Sequence, residues 1–161
     1  MNTIRTGIGI DIHRLQKGET LILGGAEIPS QYGLLGHSDG DVLIHAIIDA
    51  FLGAANLGDI GRYFPSNNPE YKGISSGKLL EISLDKVVAE GWKPVFVDAT
   101  IVAEKPLLAE FIPQMTFNIA HAINLTRRDI SIKATTADGL GYIGRGEGIS
   151  CQAIVTIQKP E

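Results

Sequence analysis

The chain has 161 residues, of which 44% are hydrophobic and 20% charged, with a formal net charge of -4. That length fits one domain, residues 1–161, able to bury roughly 70% of its unfolded surface, and the composition excludes a disordered chain. The acidic balance leaves no global positive field to hold nucleic acid or an anionic membrane. An anionic ligand would need a local device such as a metal, a helix N-terminus or a single arginine.

Along the chain, Ile4, Thr6, Ile8, Ile10 and Ile12 alternate with Arg5, Gly7, Gly9, Asp11 and His13. That period of two predicts a half-buried strand whose other face carries Asp11 and His13 side by side. Residues 20–23 and 26–29 flank Gly24-Gly25 and predict a small hairpin. Ser38-Asp39-Gly40-Asp41 then opens a helix, with Ser38 and Asp41 in capping-box form and Gly58 as the stop. Residues 59–73 read as a polar loop. A second helix is expected over 76–90, ended by Gly91, with Trp92 packing as a plug behind it. Residues 95–103 are rich in strand formers. Pro106 and Pro113 then break the chain before a third helix over 114–123. Strands over 130–134 and 149–158 enclose residues 135–148, which hold five glycines among fourteen residues. These elements predict an α/β (α+β) domain: a mixed four-stranded sheet covered by helices, plus the N-terminal hairpin.

Cys151 is the one cysteine, which rules out an intrachain disulfide and suits a reducing compartment. It lies in a strand-like segment with no histidine nearby, as a buried structural thiol would. Residues 1–15 alternate where a signal or transit peptide would run apolar or basic. The most apolar stretch, 42–57, includes His45, Asp49 and Asn56 and is too short to span a bilayer. Cytoplasm is the expected location. No nucleophile elbow, phosphate-binding P-loop or dinucleotide fingerprint is present.

Four constellations can carry chemistry. Side chains at i and i+2 of a strand point the same way, so Asp11 and His13 can grip one ion with His45 as third ligand. Two histidines and one carboxylate leave a tetrahedral position open, as catalytic zinc sites do. Asp49, one turn on, can orient His45. The same residues also read as a surface pair and a satisfied buried histidine. His37-Ser38-Asp39-Gly40-Asp41 is either a phosphate seat at a helix N-terminus or plain capping chemistry. Residues 133–139, Lys-Ala-Thr-Thr-Ala-Asp-Gly, offer amides, hydroxyls and Asp138 for a hard cation, or form a glycine-rich turn. Arg145, within 144–148, is a phosphate fork or part of a solvated loop.

In this order the segments resemble one family. They are Gly9-Ile10-Asp11-Ile12-His13, His37-Ser38-Asp39-Gly40-Asp41 with His45, Gly58-Asp59-Ile60-Gly61, Phe64-Pro65, Lys133-Ala134-Thr135-Thr136 and Gly144-Arg145-Gly146-Glu147-Gly148-Ile149. Over essentially its whole length the chain resembles the 2-C-methyl-D-erythritol 2,4-cyclodiphosphate synthases of the non-mevalonate isoprenoid pathway. The resemblance implies a phosphorus–oxygen lyase that cyclises a cytidine-diphospho sugar alcohol phosphate and releases CMP. It implies Asp11, His13 and His45 as Zn²⁺ ligands, His37 and Thr136 as stabilisers of the transition state, and Asp138 as holder of Mg²⁺ or Mn²⁺. Substrate contacts would come from the Asp11-Ile12-His13 strand, from His37 and Ser38, and from Asp59, Ile60, Gly61 and the loop Phe64, Pro65, Ser66, Asn67 and Asn68. The cytidine pocket would comprise Ala103, Glu104, Lys105, Pro106, Leu107, Leu108 and Ala109 with Thr135, Thr136, Ala137 and Asp138. Tyr142 and Arg145 match further contacts.

The resemblance also implies a homotrimer with active sites between subunits, and it leaves open an isoprenoid diphosphate on the trimer axis. Three departures stand out. Asp138 replaces a usual Glu, Ser66 and Asn68 replace acids, and Leu107 sits where Lys is common. A metal-dependent phosphodiesterase and a non-catalytic cytidine-nucleotide-binding trimer are the rival readings.

Overall fold

A computed structural model describes residues 3–160. In chain order the elements are β1 (Thr3–Lys17), β2 (Leu21–Leu23), β3 (Ala26–Ile28), β4 (Tyr32–Leu34), α1 (Val42–Ala54), α2 (Ile60–Tyr63) and α3 (Ser76–Ala89). There follow β5 (Lys93–Val102), α4 (Ile112–Ala122), β6 (Ile130–Thr135), α5 (Gly141–Gly144) and β7 (Gly148–Lys159). The sheet order is β4-β1-β7-β5-β6; β5 and β6 run parallel and the other pairs antiparallel. It is the expected mixed sheet of four long strands, with the three-residue β4 added as a fifth at one edge. β2 and β3 form the separate hairpin. No described helix is long and apolar enough to cross a membrane.

Helix α1 is the centre of the core. Eleven of its side chains are buried, including Ile44, Ile47, Ile48, Phe51 and Leu52, so it is apolar all round, as an enclosed helix must be. It lies on β1 and β7 and carries α3 on its far side. Gly7 and Gly9 make that contact possible: a Cβ on Gly9 would sit 1.9 Å from the Ala46 carbonyl oxygen, and one on Gly7 would sit 2.0 Å from that of Ala50. Helix backbone therefore rests directly on strand backbone, with small side chains at Ala46, Ala50 and Ala54 along the seam.

The faces of β1 are used in the opposite sense to the reading from hydropathy. The glycine, aspartate and histidine face packs on α1. The isoleucine face is bare in the single chain, with Ile4 65%, Ile8 61%, Ile10 53% and Ile12 52% exposed. Ile154 and Phe96 extend this apolar surface across the sheet.

Both ends of α1 also differ from expectation. Its N-cap is Asp41, not Ser38. The fully buried Asp41 carboxylate accepts from the amide of Ile44, and from those of Gly24 and Gly25 in the hairpin turn at 3.0 and 2.7 Å. Burial pushes the Asp41 carboxyl up to about 6, against the pull of those three amides. The C-terminus closes at Asn56 (φ 61), two residues before Gly58. Leu57 donates to Leu52 and Asn56 to Gly53, the paired bonds of a Schellman stop with asparagine in the left-handed position. Gly91 (φ 83) ends α3 by the same device, as expected. Pro113 does not precede the third helix; it occupies the first turn of α4, where a missing N–H costs nothing.

The seam predicts opposite outcomes for two glycines. Gly9→Ala is expected to cost about 3 kcal/mol or more, because the clash is with backbone. Gly53→Ala, in α1 with open space around it, is expected to stabilise by about 0.5–1 kcal/mol. Urea unfolding of both variants measures the difference; equal midpoints would contradict the seam.

Candidate metal centre and active site

Asp11 and His13 leave β1 on the face that meets α1, and His45 comes from the first turn of that helix. The three converge. Asp11 Oδ2 lies 2.9 Å from His13 Nε2 and 3.1 Å from His45 Nδ1, and the two ring nitrogens are 3.3 Å apart. Among the described residues this is the one group of three or more His, Cys, Asp or Glu side chains placed to share an ion. Metal–ligand bonds of about 2.0–2.2 Å in a tetrahedron put ligand atoms roughly 3.3–3.6 Å apart, so the triangle matches one face of such a polyhedron, slightly contracted. The donor set fits a divalent ion with a position left over.

The imidazoles are held from behind. His13 Nδ1 lies 2.7 Å from the Leu35 carbonyl, which only accepts, so Nδ1 carries a proton; Nε2 faces the centre, donating to Asp11 while protonated and open to a metal once that proton leaves. His45 Nε2 lies 2.9 Å from Ser76 Oγ and 3.0 Å from Ser38 Oγ. Asp49, expected to orient His45, instead accepts from the Ile60 amide at 2.7 Å and so fixes the start of α2. Burial raises the Asp49 pKa, with the nearby Asp59 and Asp11 adding to the effect. For Asp11, burial alone would raise the pKa, but hydrogen bonds and charge from His13 and His45 outweigh it and hold the carboxyl far below the usual range. For His13, burial works downward, and the Asp11 carboxylate with the Leu35 carbonyl reverses it, so the pKa is raised.

A cavity of about 250 Å³ opens over the triad, lined also by His37, Ser38, Asp49, Ile60, Gly61, Phe64, Ser66, Tyr71 and Leu79. His37 donates from Nε2 to the Asn68 carbonyl at 2.8 Å, which ties the 64–68 loop to the rim. Asp59 caps α2, and Asn68 caps the short turn Pro69–Tyr71. Phe64 meets Tyr71 edge to face at 5.2 Å. Tyr71 and Leu79 carry no motif and come to the cavity only through this folding of 59–79. Ile12, expected among the contacts, points its side chain to the opposite, exposed face.

The second group of expected residues lies elsewhere. Ala103 donates to the Thr135 carbonyl at 3.0 Å, and Glu104 accepts from the Ala137 amide at 3.2 Å, which joins the loops after β5 and β6. Thr136 Oγ1 accepts from the amide of Asp138, an exposed residue at φ 56. Glu104, Lys105, Pro106, Leu107 and Arg145 border a separate cavity of about 680 Å³. Arg145 is engaged by Glu147 at 2.8 Å, and Tyr142 stands half-exposed on α5. None of these residues lines the cavity over the triad, so one chain does not bring the two groups together. Cys151 is buried and its thiol pKa is raised by burial, so it stays protonated and inert.

Because a metal must displace the proton held at His13, its binding should weaken as the pH falls through that raised pKa, above the ordinary 6.5. The metal-free pair behaves oppositely: the His13 contribution to stability is complete below the unfolded value and fades as pH rises through the folded one. The rise in melting temperature on adding a divalent zinc or cobalt salt is therefore expected to grow between about pH 5.5 and 8. A rise independent of pH would contradict this competition.

A profile of the YgbB family matches residues 4–158. A 2-C-methyl-D-erythritol 2,4-cyclodiphosphate synthase of Desulforamulus reducens is 53% identical over 97% of this chain and 99% of its own length. Its counterpart in Syntrophomonas wolfei is 51% identical, with 97% and 99% covered. Among solved structures, the bifunctional IspDF of Campylobacter jejuni superposes with a TM-score of 0.96 at 40% identity, covering all of this chain and 44% of that one. A CDP-bound 2C-methyl-D-erythritol-2,4-cyclodiphosphate synthase gives 0.86 at 34%, over 94% of this chain and 98% of that one. With a profile match along nearly its whole length and full-length relatives at half identity, the chain belongs to the YgbB family, whose members here are 2-C-methyl-D-erythritol 2,4-cyclodiphosphate synthases.

Proposed function

We propose that this chain, acting as one domain in the cytoplasm, converts 4-diphosphocytidyl-2-C-methyl-D-erythritol 2-phosphate to 2-C-methyl-D-erythritol 2,4-cyclodiphosphate and CMP. The observation that carries the reading is the Asp11–His13–His45 triangle at the floor of a cavity, in a chain of this family. The substrate brings its own nucleophile. An oxygen of the 2-phosphate bonds to the β-phosphorus of the cytidine diphosphate, the bond from that phosphorus to its bridging oxygen breaks, and the electron pair leaves on CMP. No protein nucleophile is needed.

Zn²⁺ at Asp11, His13 and His45, and Mg²⁺ or Mn²⁺ between Asp138 and the phosphates, would supply Lewis-acid neutralisation of phosphate charge. Asp138 offers a single exposed carboxylate, which suits an ion held mainly by phosphate and water. The residues do the positioning. Ser38, Gly61 and the 64–68 loop hold the sugar-alcohol phosphate end, and backbone groups of 103–109 with Thr135 and Thr136 hold the cytidine diphosphate. His37 and Thr136 donate to the phosphate oxygens as charge shifts. Fixing two ends of one molecule at reacting distance can be worth about 7–11 kcal/mol.

The two residue groups lie apart in one chain, so the complete site is formed between neighbouring copies in a homotrimer. The bare isoleucine face of β1 supports this arrangement by offering an apolar surface for them to share.

Incubation with the substrate, Zn²⁺ and Mg²⁺ should release CMP and a cyclic diphosphate visible by phosphorus NMR. His45→Ala should lower the rate about 10³-fold or more, the equivalent of several kcal/mol of lost phosphate polarisation. A linear phosphate product would instead identify a metal-dependent phosphodiesterase, and absence of CMP from the intact chain a binding protein without turnover. Ile8→Asp should reduce the mass measured by light scattering from three chains to one and abolish turnover. Full activity in a monomer would refute the shared site.

A further inference from the structure

We infer that Asp39 and Ser76 are positioning residues that set the proton on His45, and thereby its capacity to bind a metal ion. The inference rests on the reading of Asp11, His13 and His45 as ligands to one ion. Ser76 Oγ hydrogen-bonds to Asp39 Oδ1. A carboxylate only accepts, so the Ser76 hydroxyl donates to Asp39 and turns a lone pair toward His45 Nε2, 2.9 Å away. Nε2 must then carry the proton and donate. In the metal-free chain Asp11 Oδ2, 3.1 Å from Nδ1, draws a proton to that nitrogen as well; a bound cation takes that proton's place, and with Nε2–H held by Ser76 the Nδ1 lone pair faces the ion beside Asp11 Oδ2 and His13 Nε2. The chain of donation runs from His45 to Ser76 to Asp39, and each step has one allowed direction.

Burial makes that direction matter. Ser76 is fully buried and His45 is 8% exposed, so water is poorly placed to substitute. With the opposite tautomer, Nδ1–H would point at the ion position and His45 would contribute no lone pair. Ser38 Oγ also lies 3.0 Å from Nε2, but among the described residues its hydroxyl has no carboxylate partner and can donate or accept, so it imposes no direction. Asp39 is itself held in place, accepting from the amides of Asp41 at 3.2 Å and Ser76 at 2.9 Å, and so caps the start of α3 from outside that helix. The three residues come from the loop before α1, from α1 and from α3, which makes the metal centre depend on how those segments pack.

Two variants separate positioning from mere structure. Ser76→Ala removes the hydroxyl and leaves the capping bond between Asp39 and the backbone of residue 76. Asp39→Asn keeps the volume but allows an amide N–H to face the hydroxyl, which reverses the permitted direction. Zinc affinity by chelator competition and the visible spectrum of cobalt(II)-loaded protein are the readouts, with far-UV circular dichroism establishing that each metal-free variant is folded. Both variants should bind zinc about 10- to 100-fold more weakly, with an altered cobalt band, while Ser38→Ala retains wild-type zinc affinity. Wild-type affinity and spectrum in folded Ser76→Ala would overturn the inference. So would a loss confined to Ser38→Ala. Failure of the unaltered protein to bind zinc or cobalt would overturn the metal-site reading itself, a result distinct from either.

Discussion

The backbone-on-backbone contact between β1 and α1 governs the rest of the molecule. Strand and helix ordinarily meet through side chains on both sides; here Gly7 and Gly9 remove one layer, and the carbonyls of Ala46 and Ala50 occupy the space. Asp11 and His13 continue the same strand face, and His45 adjoins Ala46. A side chain's thickness of extra separation along that seam would pull the imidazole away from the carboxylate. The candidate metal centre is in this sense a product of packing: three side chains from two elements converge because those elements touch.

Around that centre, polarity is arranged as carefully as position. Each imidazole is backed by an acceptor-terminated partner, the Leu35 carbonyl for His13 and the Asp39–Ser76 pair for His45, so that lone pairs meet where a cation would sit. Without a cation the same geometry favours a proton on His13 beside an ionised Asp11. Asp41, four residues before His45, spends its charge on structure instead, joining the hairpin turn to the helix start.

Much of this was legible in the sequence. Runs of strand-forming residues marked β5, β6 and β7, and the Asp-x-His spacing with a histidine in the next helix offered the triad as one of two readings, which the family resemblance then favoured. The errors have physical causes. Hydropathy assigned the isoleucines of β1 to the chain's own core, because a row of glycines gives no apolar signal even where backbone packs tightly. Ser38 resembled a cap because serine often is one, but Asp41 lies where it can serve Ile44 and two distant amides at once. Asn56 took the left-handed stop expected of Gly58. The role of Ser76 had no local signature: it lies 31 positions from His45, and no spacing rule links the start of α3 to a histidine in α1.

The isoleucine row has one further consequence. In the proposed homotrimer that face is covered, and a chain that has folded alone is an intermediate with an apolar sheet face open to water. Burying that face between identical copies would link stability to assembly, so that the measured resistance to unfolding would depend on how much protein is in the tube. A dilute sample would then lose catalytic competence while every helix and strand of the individual chain was still in place.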